Sequence, residues 1–495
     1  MPLFSRTRRR NPKSRPPDKR AVAAFRATHR PRLRSGISKK RSYRRRVLSA
    51  SCRHDRLSAL TDDLLLLILQ RVDTRTALGT ATLSKRWACL PRCLGALDFR
   101  VSDILPARYY ECIRIRGEAA HFPFIVNFDV NRATIERYER RAMRAIVSSI
   151  NNFLDADDDQ DMGGLCPRSV QTLRLQFFVA HCSSSINRLI AKATDSWGVE
   201  DLEVSAKSTF WRQDGHRFPH HGLCNNPHKS RLRNLKLAAC HIPSLKGFHA
   251  LSSLQLIMED CWFGLIKLHT LPMLENLAVV ESNVSYNLSS FPYLTHFNIA
   301  IRRGILKTRF VRVKNDHDLN EYLGGTSGIT NLIVRFTGYD RWFKPWSPLL
   351  FRKLRRLLVA DVPSSWDVSW PRLLIEAAPC LESLHIHIAP WEEEPRDDIS
   401  WQSPEFCHNQ LKELVIIGFQ GTERQIYFVN FVIKVSMSLQ LVFLYKNGYV
   451  QDKGHWDWDI VTRQYQWLNE EKVKILNQIA DGAPCAATPT QLVLK

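Results

Sequence analysis

RLRNLKLAAC, residues 231–240, decides how the chain reads. Leu232 leads, two polar residues follow, and Leu235 and Leu237 then alternate with Lys236. Such alternation makes a strand with one apolar face. Moving outward, the same text returns as SVQTLRLQFF (169–178), GVEDLEVSAK (198–207), ALSSLQLIMEDC (250–261) and MLENLAVVESN (273–283). It continues as YLTHFNIAIRR (293–303), GITNLIVRFTG (328–338), KLRRLLVADV (353–362), CLESLHIHI (380–388) and QLKELVIIGF (410–419). The equivalent positions are Leu173, Leu202, Leu235, Leu254, Leu277, Phe297, Leu332, Leu357, Leu384 and Leu414, spaced 19 to 35 residues apart.

One such unit cannot bury its face alone, whereas stacked units can. The L-x-x-L-x-L spacing with uneven period predicts an irregular leucine-rich-repeat solenoid with a parallel sheet on its concave side. His385 and His387 alternate with Leu384, Ile386 and Ile388, which places them on the exposed face as recognition candidates. The region from 406 on predicts a strand, Leu411 to Ile417, a helix around Ile426–Val435 and another strand. The chain then reads as a helix, a loop and a closing strand. Such a unit caps the last repeat, whose core would otherwise meet water.

Upstream stands LTDDLLLLILQRV, residues 60–72, with six aliphatic residues in a row. A surface helix shows one apolar stripe, and this one is apolar nearly all round. A membrane span needs about 20 apolar residues, so the run is too short for one. Something must cover its second face. Thr61 reads as the cap of this helix, with Asp62 and Asp63 in its first turn. Asp73 or Thr74 reads as the next cap, and Ser84 as the one before Lys85-Arg86-Trp87.

Charge is unevenly placed. Residues 1–53 carry 19 Lys and Arg against Asp18, so about +18 of the net +23 sits there. That stretch cannot bury enough apolar surface to order itself, and reads as a disordered basic tail. Lys39, Lys40, Arg41, Arg44, Arg45 and Arg46 form a cluster suited to nuclear import, RNA or anionic lipid. The tail is also Arg-rich and acid-poor enough for an organellar transit peptide. The twelve cysteines contain no C-x-x-C pair, which points to reduced thiols in a nuclear or cytosolic protein.

No catalytic set emerges from the text. GGTSG (324–328) lacks the Lys-Ser/Thr of a phosphate loop. DADDDQD (155–161) lacks the glycine and glutamate of a calcium loop and reads as a solvated linker. HHGLCNNPH (220–228) offers His220, His221, Cys224 and His228, but their spacing matches no common zinc site, so it reads as an insertion loop. Neither metal nor cofactor is expected. Trp342, Phe343, Trp346, Trp366, Trp370, Trp391 and Trp401 are aromatic leads for target recognition.

The stretch LTDDLLLLILQRVDTRTALGTATLSKRWACL resembles an F-box. Leu60, Asp63, Leu64, Leu65, Ile68, Leu69, Val72, Leu78, Leu83, Ser84, Lys85 and Trp87 fit that pattern, and Thr61 stands where the family usually has proline. The whole chain from about residue 55 is similar to plant F-box/leucine-rich-repeat proteins with an FBD-like tail.

The resemblance implies an α/β chain in five parts. These are the tail 1–53, an F-box at 54–98, a connecting region at 99–168, leucine-rich repeats at 169–405 and an FBD-like cap at 406–495. It implies a non-catalytic subunit that binds a Skp-family adaptor, and through it a cullin and a RING subunit. Its adaptor-binding set is Leu60, Leu64, Leu65, Ile68, Leu69, Val72, Leu78, Leu83 and Trp87. One side of the Leu64–Leu69 run would meet Trp87 and Leu83 inside the module. Helical spacing puts Leu64, Leu65, Ile68 and Val72 on one arc. The repeats would hold an unknown protein target, in the nucleus or cytoplasm and off the membrane. Two alternatives stay open at this point: a repeat scaffold with a non-competent F-box, and nucleic-acid binding through the tail.

Overall fold

The structure, a computed structural model, describes residues 57, 59–120, 128–161, 168–179, 183–207, 209, 215–257, 271–280, 293–301, 328–336, 351–364, 371–389, 406–454, 456–462, 467–482 and 490–495. The chain divides into two units, Met1–Ala59 and Leu60–Lys495. All elements below belong to the second. The tail with Lys39, Lys40, Arg41, Arg44, Arg45 and Arg46 lies outside the described residues, as do the seven aromatic leads from Trp342 to Trp401.

Three short helices come first: α1 (Asp62–Leu69), α2 (Thr74–Gly79) and α3 (Lys85–Cys89). Then follow β1 (Ala96–Arg100), α4 (Ala107–Ala120), α5 (Phe128–Asp161), β2 (Thr172–Phe178), α6 (Ser183–Lys192) and β3 (Asp201–Lys207). Strands now dominate: β4 (Asn234–Ala238), β5 (Ser253–Ile257), β6 (Asn276–Val280), β7 (His296–Ile301), β8 (Asn331–Phe336) and β9 (Arg356–Pro363). The chain ends with α7 (Pro371–Ala377), β10 (Ser383–Ala389), β11 (Glu413–Ile417), α8 (Glu423–Val435), β12 (Leu441–Tyr445), β13 (Gly448–Lys453), β14 (Asp457–Thr462), α9 (Asn469–Gly482) and β15 (Gln491–Leu494).

β1 to β12 and β15 form one open, 13-stranded parallel sheet in chain order, and β13 pairs antiparallel with β14. The ten leucine-type positions of the sequence pattern fall on one line across it, each opposite the next from Leu173 to Leu414. The line starts one strand earlier, at Leu97, and continues through Val442 to Leu492. The sheet therefore begins within residues 54–98 rather than at 169, and the C-terminal region extends it in register. A second apolar line, Phe99–Leu175–Val204 and onward to Leu494, runs two residues further along the same face.

These two lines and the apolar residues of the turns make the main core. Full burial of a leucine-sized side chain is worth about 1.5–3 kcal/mol, so the lines supply most of what holds the strands together. The step from strand to strand repeats one hydrogen-bond device. Glu200 O accepts the N–H groups of Arg233 and Asn234, Arg233 O those of Ser252 and Ser253, and Ser252 O those of Glu275 and Asn276. α5 packs on β2, between α4 and α6. It runs on to Asp161, so DADDDQD is the end of a helix and not a linker.

The other face changes character along the sheet. Its central positions are Asp98, Arg174, Glu203, Lys236 and Gln255 from β1 to β5. They become Ala278, Asn298, Ile333, Leu358, His385 and Val415 from β6 to β11. A parallel sheet with an apolar outer face needs a cover. The β13–β14 hairpin provides it: Trp458 and Val450 pack with Ile333, Leu358 and Ala360. His385 and His387 are buried, each 8% exposed, not on an open face as alternation alone predicts; Trp458 of the hairpin lies edge-on against His385.

Candidate functional site

The first three helices form a small module on the β1 edge. α1 begins at Thr61, whose backbone is extended but whose side chain caps nothing. The first N–H bond closes on its carbonyl instead, from Leu65 N at 3.1 Å. The expected Thr61 side-chain cap is absent because the hydroxyl does not reach the first turn. Asp73 caps α2, accepting from Thr76 N at 2.9 Å and Thr76 Oγ1 at 2.6 Å. The Thr76 hydrogen bond holds the Asp73 carboxyl below the usual range. Ser84 caps α3, accepting from Trp87 N at 3.3 Å. Arg86 ties α3 to the start of α1 through Asp62 at 2.7 Å. Thr74 Oγ1 accepts the Asp98 N–H at 2.7 Å, which docks α2 on β1 and occupies an N–H of that edge strand.

Packing sorts the leucine run. Leu65 and Leu69 point inward, 0% and 3% exposed, into the core that also holds Ala77, Leu90, Leu94 and Leu97. Leu60, Leu66, Leu78 and Trp87 are partly buried against that core. Leu64, Leu67, Ile68, Val72 and Leu83 stay outside, 47%, 53%, 40%, 38% and 68% exposed. At 100° per residue, Leu64, Leu67 and Ile68 share an arc next to that of Leu65 and Leu69.

The residues picked from sequence thus divide. Leu64, Ile68, Val72 and Leu83 are exposed, whereas Leu65 and Leu69 are buried in the core. Leu65 is buried where Leu64 and Ile68 are exposed, Val72 lies beyond the end of α1, and Leu83 is exposed rather than inside the module. Leu67 was missed, because an unbroken aliphatic run carries no polar residue to mark the inner side.

A second candidate lies on the outer sheet face. Trp458 Nε1–H donates to His385 Nδ1 at 2.8 Å, which puts the neutral ring's proton on Nε2, facing Glu413 Oε2 at 3.4 Å. The hydrogen bond from His385 holds the Glu413 carboxyl below its ordinary value. Arg356 pairs with Asp457 at 3.0 Å, and its guanidinium lies 4.5 Å over the Trp458 ring. Asp361, at φ +62°, meets His387 at 3.0 Å and Arg335 at 3.3 Å where β9 is irregular. Burial raises the Asp361 carboxyl, but the His387 hydrogen bond and the Arg335 charge leave it net lowered.

Beside the hairpin, a cavity of about 300 Å³ opens on β2 to β5, lined by Arg174, Asp201, Glu203, Lys236, Gln255 and Trp456. Glu203 holds Lys236 at 2.8 Å and Arg174 at 3.7 Å. The alternating HWDWD at 455–459 signals a strand with aromatic and acidic sides, and was the available clue to Trp456 and Trp458.

Among the described residues, no three His, Cys, Asp or Glu side chains are arranged to hold a metal. No described helix is long and apolar enough to cross a membrane. Cys89, Cys93, Cys112, Cys224, Cys240, Cys380 and Cys407 are free thiols. No protein-family model matches the chain, and no curated protein matches it.

Proposed function

We propose that the chain is a target-recognition subunit of a Skp–cullin–F-box ubiquitin ligase. In this reading residues 54–98 are the F-box, the sheet is an irregular leucine-rich-repeat solenoid, and the last 90 residues are an FBD-like end unit. The observation that carries it is the arc of Leu64, Leu67 and Ile68 on α1, left in water beside the buried Leu65 and Leu69, with Val72 and Leu83 exposed as well. Each of Leu64, Leu67 and Ile68 keeps roughly half its surface exposed, so covering the rest is worth about 1 kcal/mol apiece before association costs. The adaptor is the occupant; the sheet presents a protein target. Ubiquitin transfer then gains from proximity, the tether raising the effective concentration of the target lysine. The basic cluster 39–46 serves nuclear import.

Co-expression of the full chain with a Skp-family adaptor tests this. The wild type is captured, and Leu64→Asp with Ile68→Asp abolishes capture while leaving the fold intact. Unchanged capture by that variant overturns the reading. The bare Thr61 cap favours one second reading, a repeat scaffold with a weakened F-box. It predicts capture only after Thr61→Pro, whose fixed φ of about −65° matches the −68° of position 61.

A further inference from the structure

The loop before β4 and the turn after it meet through two exposed imidazoles that the adaptor reading does not use. His228 sits in the one-turn 3-10 segment Pro227–Lys229, and His249 in the turn leading to β5. His228 Nδ1 lies 2.9 Å from His249 Nε2, with ring centroids 5.0 Å apart and planes 33° apart. Two imidazole nitrogens at that distance share one proton, one ring donating and the other accepting.

Both rings are set by built backbone. Asp195 accepts the N–H groups of Asn225 and Asn226, each at 3.0 Å. The His249 N–H donates to Gly247 O at 3.0 Å. Gly247 has φ +94°, and a Cβ there would stand 3.0 Å from Pro227 Cγ and 3.1 Å from His228 Cε1. The His228 ring therefore rests against the backbone that positions His249. Sequence spacing had offered Cys224 as its companion ligand. That thiol is 1% exposed and pushed up to about 12, mainly by burial and then by Asp195, so it stays protonated and inside.

The observed 2.9 Å is an ordinary hydrogen-bond length between the two rings. Imidazole nitrogens on one metal stand about 3.0–3.4 Å apart at bond lengths of about 2.0–2.1 Å, so a small turn of either exposed ring brings both nitrogens to one ion. Imidazole suits copper(II), nickel(II) and zinc(II), and copper(II) is the tightest of these in the general affinity order.

We propose that His228 Nδ1 and His249 Nε2 form a two-imidazole chelating site for a divalent transition-metal ion, copper(II) foremost, with water completing the coordination. The ring that donates in the metal-free pair moves its proton, through solvent, to its other nitrogen. Both facing nitrogens then present lone pairs. A neutral pair releases no proton on binding, and a singly protonated pair releases one.

The test is a titration of the full chain with glycine-buffered copper(II), read by electron paramagnetic resonance and by thermal midpoint. The wild type takes up one tight equivalent with a two-nitrogen signature, and its midpoint rises because the ion joins the loop to the turn. His228→Gln and His249→Gln each weaken that equivalent by more than the about tenfold that loss of an outer-shell partner costs. His220→Gln with His221→Gln leaves it unchanged, although both lie in the same loop. Zinc(II), below copper(II) in the general affinity order, binds more weakly. Equal copper affinity in the wild type and His249→Gln overturns the site, as does absence of a tight equivalent or its loss in the His220/His221 variant. None of these readouts depends on an adaptor.

Discussion

The helical module and the late half of the sheet solve the same problem in opposite ways. Each presents apolar side chains on a face its own core does not use. On β8 and β9 that face holds Ile333, Leu358 and Ala360, and the chain folds its own β13–β14 hairpin over it. On α1 the face holds Leu64, Leu67 and Ile68, and none of the three falls below 40% exposed. An apolar face closed by the same chain is architecture. One left open beside a finished core is a candidate for a partner.

The contrast is broken most strongly inside the module. Leu65→Ala removes a fully buried side chain, and is expected to cost about 2–5 kcal/mol in denaturant melts. Leu65→Asp is expected to leave too little folded protein to assay. If Leu65→Ala costs nothing, the inner and outer faces have been assigned the wrong way round. Next in size is Trp458→Ala, which strips the hairpin of its anchor and leaves His385 without its indole donor. A loss of about 3 kcal/mol is expected, concentrated in amide exchange of residues 448–462. Uniform loosening of the whole sheet contradicts a separable cover.

Acid should act on the hairpin next. The Glu413 carboxyl is lowered in the folded state, first by the His385 hydrogen bond. Its contribution is therefore complete above the ordinary glutamate range of about 4.3 and is lost as pH falls through the lowered value. Amide protection in 448–462, relative to intrinsic exchange, should fall as pH drops below that range, and Glu413→Gln should flatten that response. Smaller again is Asp73→Ala, expected to cost about 1 kcal/mol through the α2 cap. Smallest are Leu64→Ala and Ile68→Ala, each within about 0.5 kcal/mol in stability if the outer face is free.

How much of this was legible follows from what the pattern encodes. The ten positions from Leu173 to Leu414 could be read because each sits in an L-x-x-L-x-L frame, and the sheet aligns them. Leu97 went unread although Leu94, Leu97 and Phe99 fit that frame, because they follow directly on a helical module and stand 76 residues before the next match at Leu173. Leu492 lacks the apolar lead three residues before it, where Pro489 stands. The burial of His385 and His387 was not legible at all. Alternation tells which side of a strand a residue faces, not that Trp458, 73 residues on, covers that side. His249 was missed as the partner of His228 for the same reason, since β4 lies between them in the chain. On α1 the caps Asp73 and Ser84 were legible from local chemistry, whereas the inward choice of Leu65 and Leu69 depends on Ala77, Leu90 and Leu97.

The most direct test of the central claim is hydroxyl-radical footprinting of the full chain, alone and with a Skp-family adaptor. Alone, Leu64, Leu67, Ile68 and Leu83 should be modified and Leu65 spared. With the adaptor, the first three should become protected, while Trp458 stays protected in both states. Protection of Leu64, Leu67 and Ile68 without any adaptor, or no change on adding it, would contradict the account.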